Sequence, residues 1–251
     1  MVARNIDEVV SALDDIIAEQ RARKSVLAYF PALYRAVTVR VRDGILNGQF
    51  DDGDRMNRLD TCFANRYFAA YDAWRNQTAP SRAWRVAFDA AAEPDVIILQ
   101  HLLLGINAHI NLDLPVAAVE SVAGAPIQSL ERDFLTINQI LASLLDPVQA
   151  TVDRFSPLLD VLDRVGGRTD EAVVNFSIKA SRDEAWHEAV RLAGEPAEQR
   201  ARSVFSLDRR VKLLAGLIRS PGGLCGPAVE LIARTESRDV SAVTDALLAI
   251  R

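Results

Sequence analysis

Cysteine and histidine are scarce in this chain, and neither sign of charge is in large excess. The two cysteines, Cys62 and Cys225, have neither the spacing of a metal site nor the number that a disulfide framework needs. The three histidines offer few nitrogen ligands for a metal ion. A formal net charge of −5 lacks the basic excess on which nucleic-acid binding depends. We therefore expect no nucleic-acid partner and no disulfide-stabilised scaffold.

Strand-like alternation of apolar and polar residues is also missing, and no internal repeat is present. Apolar residues recur at helical spacing instead, as in the stripe Ile6, Val9 and Leu13. Besides a central apolar run, the predicted helices cover residues 5–24, 31–48, 55–76, 81–92, 127–145, 148–162, 169–192, 196–219, 227–234 and 240–250. These patterns predict an all-α fold, a compact multi-helix bundle that forms a single domain over residues 1–251 around a central buried helix.

The central run covers residues 94–115, with the sequence PDVIILQHLLLGINAHINLDLP. Its charge-free part, residues 96–112, is marginally long enough to cross a bilayer, but its internal polar residues argue against that. The N-terminal residues carry acids where a signal peptide needs a continuous apolar core. We therefore expect no membrane association and a cytoplasmic location.

Polar side chains are set into this apolar run. They are Gln100, His101, Asn107, His109 and Asn111, with Asp113 at the end. A segment this apolar will be buried, and buried polar side chains cost free energy unless each finds a partner. We interpret the run as the wall of an internal site.

Helical geometry determines which of these side chains lie on the same face of the helix. Each residue advances about 100° around a helix, so His109 and Asp113 share one face. His101 lies roughly 80° away in azimuth and about 12 Å along the axis, too far to share a metal ion with His109 unless the helix breaks near Gly105. An imidazole and a carboxylate on one face can hold a divalent metal ion or act as a base with its orienting acid.

A second polar anomaly lies in the predicted helix over residues 55–76. Asp60 falls on its apolar stripe, four residues after Met56 and three before Phe63. An aspartate at a core position is disfavoured unless it is paired, hydrogen-bonded or bound to metal. We predict that Asp60 meets His109 and Asp113 across a helix interface, as a third metal ligand or as a general acid or base.

Three interpretations of these residues stay open. His109 and Asp113 can satisfy each other in a buried structural network, they can act in catalysis without metal, or with Asp60 they can bind zinc, iron or manganese. The candidates for substrate binding are Asn107, Asn111, Asn65, Tyr67 and Tyr34.

Several strings together resemble a known family. They are, in order, LDTCFANRYF, SRAW, LLLGINAHINLDLP, SRDEAW and SLDRR. They resemble a bacterial, mainly actinobacterial, all-helical family of unknown function marked by the motif G-x-N-A-H-I-N-x-D-L-P, over about residues 30–219. The resemblance implies that Asn107, His109, Asn111 and Asp113 form the family signature, with Asp60 and Asn65 in a second motif. It implies a site but no particular reaction.

Two functional hypotheses follow. The first is a small-molecule enzyme with a catalytic set of His109, Asp113 and Asp60, which performs metal-assisted hydrolysis or acid–base rearrangement of an apolar metabolite. It covers a metal-dependent hydrolase as well as an acid–base lyase, isomerase or cyclase. The second is a non-enzymatic protein, either a binder of an apolar ligand or a scaffold with a buried polar network. Convergence of the three side chains on a cavity would favour the enzyme.

Overall fold

The predicted helices are present, with small shifts at their ends. A computed structural model describes residues 1–122, 124–162, 177–223 and 225–250. These ranges contain eleven complete α-helices and no β-strand, so the all-α prediction is confirmed. The helices are α1 (Ile6–Ala22), α2 (Tyr29–Leu46), α3 (Gly53–Arg75), α4 (Arg82–Asp89), α5 (Ile98–Ala108), α6 (Leu114–Ser121), α7 (Glu131–Phe155), α8 (Ile178–Ala193), α9 (Ala197–Arg219), α10 (Cys225–Thr235) and α11 (Val240–Leu248).

Most helix starts have a local cause in the sequence. The side chains of Asn5, Asp52 and Ser81 accept hydrogen bonds from backbone N–H groups in the first turns of α1, α3 and α4. Such capping satisfies donors that have no partner inside the helix. Pro31 lies in the first turn of α2, where its missing N–H costs nothing.

Two predicted boundaries are different in the structure. Residues 127–145 and 148–162 were expected to form two helices, but α7 runs through Pro147, after a 3₁₀ turn at Ile127–Leu130. The buried stripe that includes Phe134, Leu144 and Val152 continues across the proline, so packing holds the helix together. A helix was predicted over residues 169–192; Thr169 lies outside the described residues, and α8 begins at Ile178 with Ser177 as its N-cap.

The central run forms one continuous helical rod, Ile98–Ser121, made of α5, a π-helical turn at His109–Asp113, and α6. By length and composition alone it could cross a membrane, but most of it is buried inside the protein. Helices α2, α3, α4, α8 and α9 pack around it. The rod is therefore the core helix of the bundle, as predicted.

This packing brings three parts of the chain to one place. Helices α2 and α3 contact each other, and each also contacts the central rod. Tyr34 lies on α2, Asp60 on α3 and His109 in the π turn. Residues far apart in sequence therefore meet in the interior.

Candidate functional site

An apolar cavity of about 130 Å³ lies between α2, α3, the central rod, α7 and α8. Its walls include Phe30, Leu33, Leu59 and Ile106. Leu145, which also lines it, is 50% exposed, so this end of the cavity reaches the protein surface. The lining is suited to the hydrocarbon part of a small molecule.

Three side chains in the wall carry buried polar atoms with no hydrogen-bond partner among the described residues. The atoms are the Tyr34 hydroxyl oxygen, Asp60 Oδ2 and His109 Nε2. The residues are 5%, 7% and 3% exposed, respectively. A buried polar atom without a partner costs roughly 1–3 kcal/mol, so three around one cavity are far from ordinary core packing.

Asp113 orients the imidazole from the side away from the cavity. Its Oδ2 lies 3.4 Å from His109 Nδ1 and accepts a hydrogen bond from Trp84 Nε1 at 2.7 Å. Its Oδ1 accepts from Arg66 Nε at 3.3 Å. A carboxylate beside Nδ1 favours the tautomer with the proton on Nδ1, which leaves the buried Nε2 of this cavity-lining residue free to accept a hydrogen bond.

Aromatic rings hold the imidazole in this orientation. The Phe63 ring stacks on His109 with ring centroids 3.5 Å apart and planes 7° apart. The Tyr34 ring meets it edge to face at 4.5 Å, and Phe30 does so at 5.6 Å. The imidazole has little freedom to turn, so Nε2 keeps its place at the cavity wall.

The π turn improves the alignment of His109 with Asp113. The Leu114 N–H donates to the carbonyl oxygen of His109, five residues back. In an α-helix, residues four apart are offset by about 40° in azimuth, and the wider π turn reduces that offset. Pro115 follows at once and has no N–H to donate to Asn111, which weakens the competing α-helical register. Isolated π turns are frequent at functional sites.

Burial shifts the titration of all three groups. It raises the pKa of Asp60 to about 7. It raises the pKa of Tyr34 well above the ordinary value, and the nearby Asp60 carboxyl adds to the increase. It lowers the pKa of His109, against the opposing effect of Asp113. Near neutral pH the site therefore combines a neutral imidazole, a protonated hydroxyl and a carboxyl close to its midpoint.

Replacing Trp84 by Phe should lower the free energy of unfolding by about 2 kcal/mol, since Asp113 loses its shortest hydrogen bond and a buried ring shrinks. Urea denaturation measures the change. Trp74→Phe is the matched control, because the Trp74 indole reaches Asp89 only at 3.4 Å in an exposed position. Equal losses in both variants would contradict the role of the indole N–H at Asp113.

The expected metal site is not formed by these residues. Both oxygens of Asp113 are occupied by Trp84 and Arg66, and Asp113 is not among the residues that line the cavity with Asp60. Across the part of the chain that the structure describes, no group of three or more His, Cys, Asp or Glu side chains is arranged to hold a metal ion. The geometry thus does not fit zinc, iron or manganese held by His109, Asp113 and Asp60.

The three candidate asparagines, Asn107, Asn111 and Asn65, form hydrogen bonds with other groups of the protein. Asn107 Nδ2 donates to the carbonyl oxygen of Val211 on α9, and Asn111 Nδ2 donates to Asn107 Oδ1. Asn65 exchanges two hydrogen bonds with the backbone of Ala3. None of these asparagines lines the cavity. Their amide groups fix helix α9 and the N-terminal segment against the core.

Only one of the two candidate tyrosines lines the cavity. Tyr34 lines the cavity, whereas Tyr67 is buried behind it, with its ring 5.3 Å from Phe30 and 5.1 Å from Trp84. Tyr67 therefore supports the rings around the site and does not face the cavity.

The other histidines lie elsewhere. His101 packs edge to face on Tyr29 at 6.3 Å, away from the cavity, and burial lowers its pKa to about 4. His187 is exposed on α8. Arg182 of α8 is buried and does line the cavity, but its guanidinium donates to Phe134 O and Asn138 Oδ1, both at 2.6 Å. The α5 helix does not break at Gly105, so His101 and His109 stay apart.

Sequence reasoning missed the residues that hold Asp113. Trp84 and Arg66 were not predicted as part of the site, although both lie in strings that carry the family resemblance. Asp208, in a third such string, accepts from the backbone N–H groups of Arg82 and Ala83 and so caps the helix that carries Trp84. The sequence shows Trp84 near the start of a predicted helix, but that Trp84 donates a hydrogen bond to Asp113 follows only from the packing of the helices.

The comparisons place this chain in a family. Residues 6–221 match the model of a family of unknown function, DUF5995, and the chain belongs to that family. No curated protein and no solved structure matches the chain. The match extends further towards the N-terminus than the motifs alone indicated, and the family description contains no reaction.

Proposed function

We propose that this protein is an enzyme that performs acid–base chemistry on a small apolar molecule. The observation that carries the proposal is the convergence of three partnerless buried polar atoms, on Tyr34, Asp60 and His109, around one apolar cavity. An evolved core would tolerate their cost of roughly 1–3 kcal/mol each only for a compensating gain, and ligand contact supplies one.

His109 is the proposed base. Its Nε2 accepts a proton from the bound molecule, and the imidazolium that forms is stabilised by Asp113 at Nδ1. Arg66 and the Trp84 indole hold the Asp113 carboxyl group in place. Asp113 is thus a positioning residue that acts through His109.

Asp60 and Tyr34 are the proposed proton donors. The Tyr34 hydroxyl stays protonated at physiological pH, because burial raises its pKa. Asp60, whose pKa is raised to about 7, can give or take a proton near neutrality. Metal-assisted hydrolysis has no place in the proposal, because the expected ligand set is not assembled.

A second candidate function is supported by the predominantly apolar lining of the cavity. The protein would then bind an apolar ligand without changing it, and the three polar atoms would only anchor the polar end of that ligand. The two functions differ in what the wild-type protein does to the bound molecule. An enzyme alters it and stops doing so when His109 is removed, whereas a binding protein leaves it unchanged.

The test is to incubate a cell-free small-molecule extract with the purified protein and with its His109→Gln variant. Mass spectrometry follows compounds that are consumed or formed. We expect the wild type to convert at least one small apolar compound and His109→Gln to convert none. His187→Gln, at an exposed histidine, is the control and should behave as wild type.

Circular dichroism and thermal melting establish that each variant is folded. Enrichment of one unchanged compound on both wild type and His109→Gln would contradict the enzyme and support the binding protein. Unfolding of His109→Gln would be resolved with His109→Asn, which keeps a polar side chain of smaller size.

A further inference from the structure

We infer that the substrate is a small apolar ketone or aldehyde, and that the enzyme moves a proton to and from the carbon next to its carbonyl group. This inference rests on the proposed function and deepens it to a substrate class and a reaction.

The cavity limits the size of the substrate. A volume of about 130 Å³ is close to that of an engineered protein cavity, about 150 Å³, that binds benzene. The part of the substrate inside the cavity has about six to eight heavy atoms, and anything beyond it would extend through the end that reaches the protein surface. Most of the wall is made of Leu, Ile, Val and Phe side chains, so most of the enclosed atoms are carbon.

The polar groups match the two ends of an enolisation. A carbonyl oxygen accepts hydrogen bonds, and the Tyr34 hydroxyl and the protonated form of Asp60 are the donors available to it. The adjacent C–H bond needs a base with a free lone pair, which His109 Nε2 supplies. An apolar ether would accept from the donors and leave the base unused. An alcohol could contact both sets through its one hydroxyl group, but it has no C–H bond made acidic by a carbonyl group.

The described residues that line the cavity do not include the commonest nucleophiles of covalent catalysis. There is no Ser, Thr, Cys or Lys among them. Acyl transfer through a serine, threonine or cysteine ester, and Schiff-base formation on lysine, therefore have no nucleophile there. Proton transfer at carbon requires none of these side chains.

The reaction balances without any added reagent. The base, His109 Nε2, takes the proton, and the C–H electron pair becomes the new C=C bond. The carbonyl π electrons move to oxygen, where the Tyr34 hydroxyl and Asp60 stabilise the enolate. Return of the proton to the same carbon, or to the far end of a conjugated enolate, completes an exchange or an isomerisation. No oxidant, reductant or metal ion takes part.

The first experiment measures proton exchange directly. Cyclohexanone, a ketone with seven heavy atoms, is incubated with the protein in deuterated buffer, and mass spectrometry follows deuterium at its α carbons. We expect the wild type to accelerate exchange and His109→Gln to reduce the rate at least about 100-fold. Tyr34→Phe, which removes one donor to the enolate, should reduce it about 100-fold. The controls His187→Gln and Tyr29→Phe lie outside the cavity and should exchange like wild type.

The second experiment measures occupancy of the site. Phenol has the size of the enolate and carries its oxygen on a planar carbon, so it should bind by calorimetry and inhibit the exchange. His109→Gln should change the affinity for phenol by no more than about threefold. Tyr34→Phe should weaken the affinity for phenol about tenfold, the equivalent of about 1.4 kcal/mol.

The outcomes separate the two proposals. Phenol binding that depends on Tyr34, with no exchange of any small ketone, overturns the carbonyl inference and leaves the proposed function to the extract experiment. Exchange that persists in His109→Gln overturns the inference as well. Failure of both phenol and cyclohexanone to bind, together with an extract left unchanged by the wild type, overturns the enzyme itself.

Discussion

The free energy of unfolding of the wild type should fall by about 3 kcal/mol between about pH 5 and pH 8 because of Asp60, and this fall should be absent in Asp60→Asn. Burial raises the pKa of Asp60 from its ordinary value of 3.8 to about 7 in the folded protein. Between these two values the folded state binds the proton and the unfolded state does not. The free energy of unfolding therefore falls as pH rises, and levels off above about pH 7.

The measurement is urea denaturation of wild type and Asp60→Asn at several pH values, with the difference between the two curves as the readout. Subtraction is needed because His109 acts in the opposite direction: burial lowers its pKa, so its contribution to stability is lost as pH falls. Asp54→Asn, at an exposed position of the same helix, is the control and should leave the curve unchanged. A flat difference curve for Asp60→Asn would show that Asp60 titrates normally.

Replacing Gly105 by Ala should lower the free energy of unfolding by about 3 kcal/mol, although alanine favours helices. A Cβ at this position would lie 2.4 Å from Cδ2 of Phe30 and 2.5 Å from its Cγ. Phe30 is 9% exposed, and its ring lies between Gly105, Trp84 and His109, so it cannot move without disturbing the site. Chemical denaturation measures the loss.

A matched pair of variants isolates this close contact. Gly216 lies at an exposed position in the last turn of α9, and a Cβ there would meet no atom within 4 Å. Gly216→Ala should stabilise the protein by about 0.5–1 kcal/mol, the ordinary gain of alanine over glycine in a helix. In a Phe30→Leu background, Gly105→Ala should cost at least about 1 kcal/mol less than in wild type. An unchanged cost there would show that Phe30 is not what excludes the methyl group.

The fold could be read from the sequence wherever local chemistry was enough. The spacing of Ile6, Val9 and Leu13 predicted α1, and the starts predicted for α3 and α4, at residues 55 and 81, lie within two residues of the observed starts. The prediction failed at Pro147, because proline weakens a helix locally while the packing of α7 is a property of the whole bundle.

The three polar side chains of the candidate site were all among the residues named from the sequence. Asp60 was identified because a carboxyl group interrupts an apolar stripe, and His109 because imidazole interrupts a charge-free run. Both line the cavity together with Tyr34. Asp113 and the asparagines were predicted to contact a metal ion or the substrate, but in the structure they form hydrogen bonds within the protein. Spacing on a helix does not tell which neighbour a polar group meets.

The sequence by itself determined that the chain is helical, that its central rod is buried, and that Asp60, His109 and Asp113 need partners. These properties follow from periodicity and from the cost of burying polar atoms. Only the tertiary structure decided which partners they have. Asp113 meets Trp84 and Arg66 and becomes unavailable, whereas Asp60 and His109 keep a free atom at the cavity. Hydrogen bonds between distant helices depend on how the helices pack, and that information is not contained in the spacing of residues along any one of them.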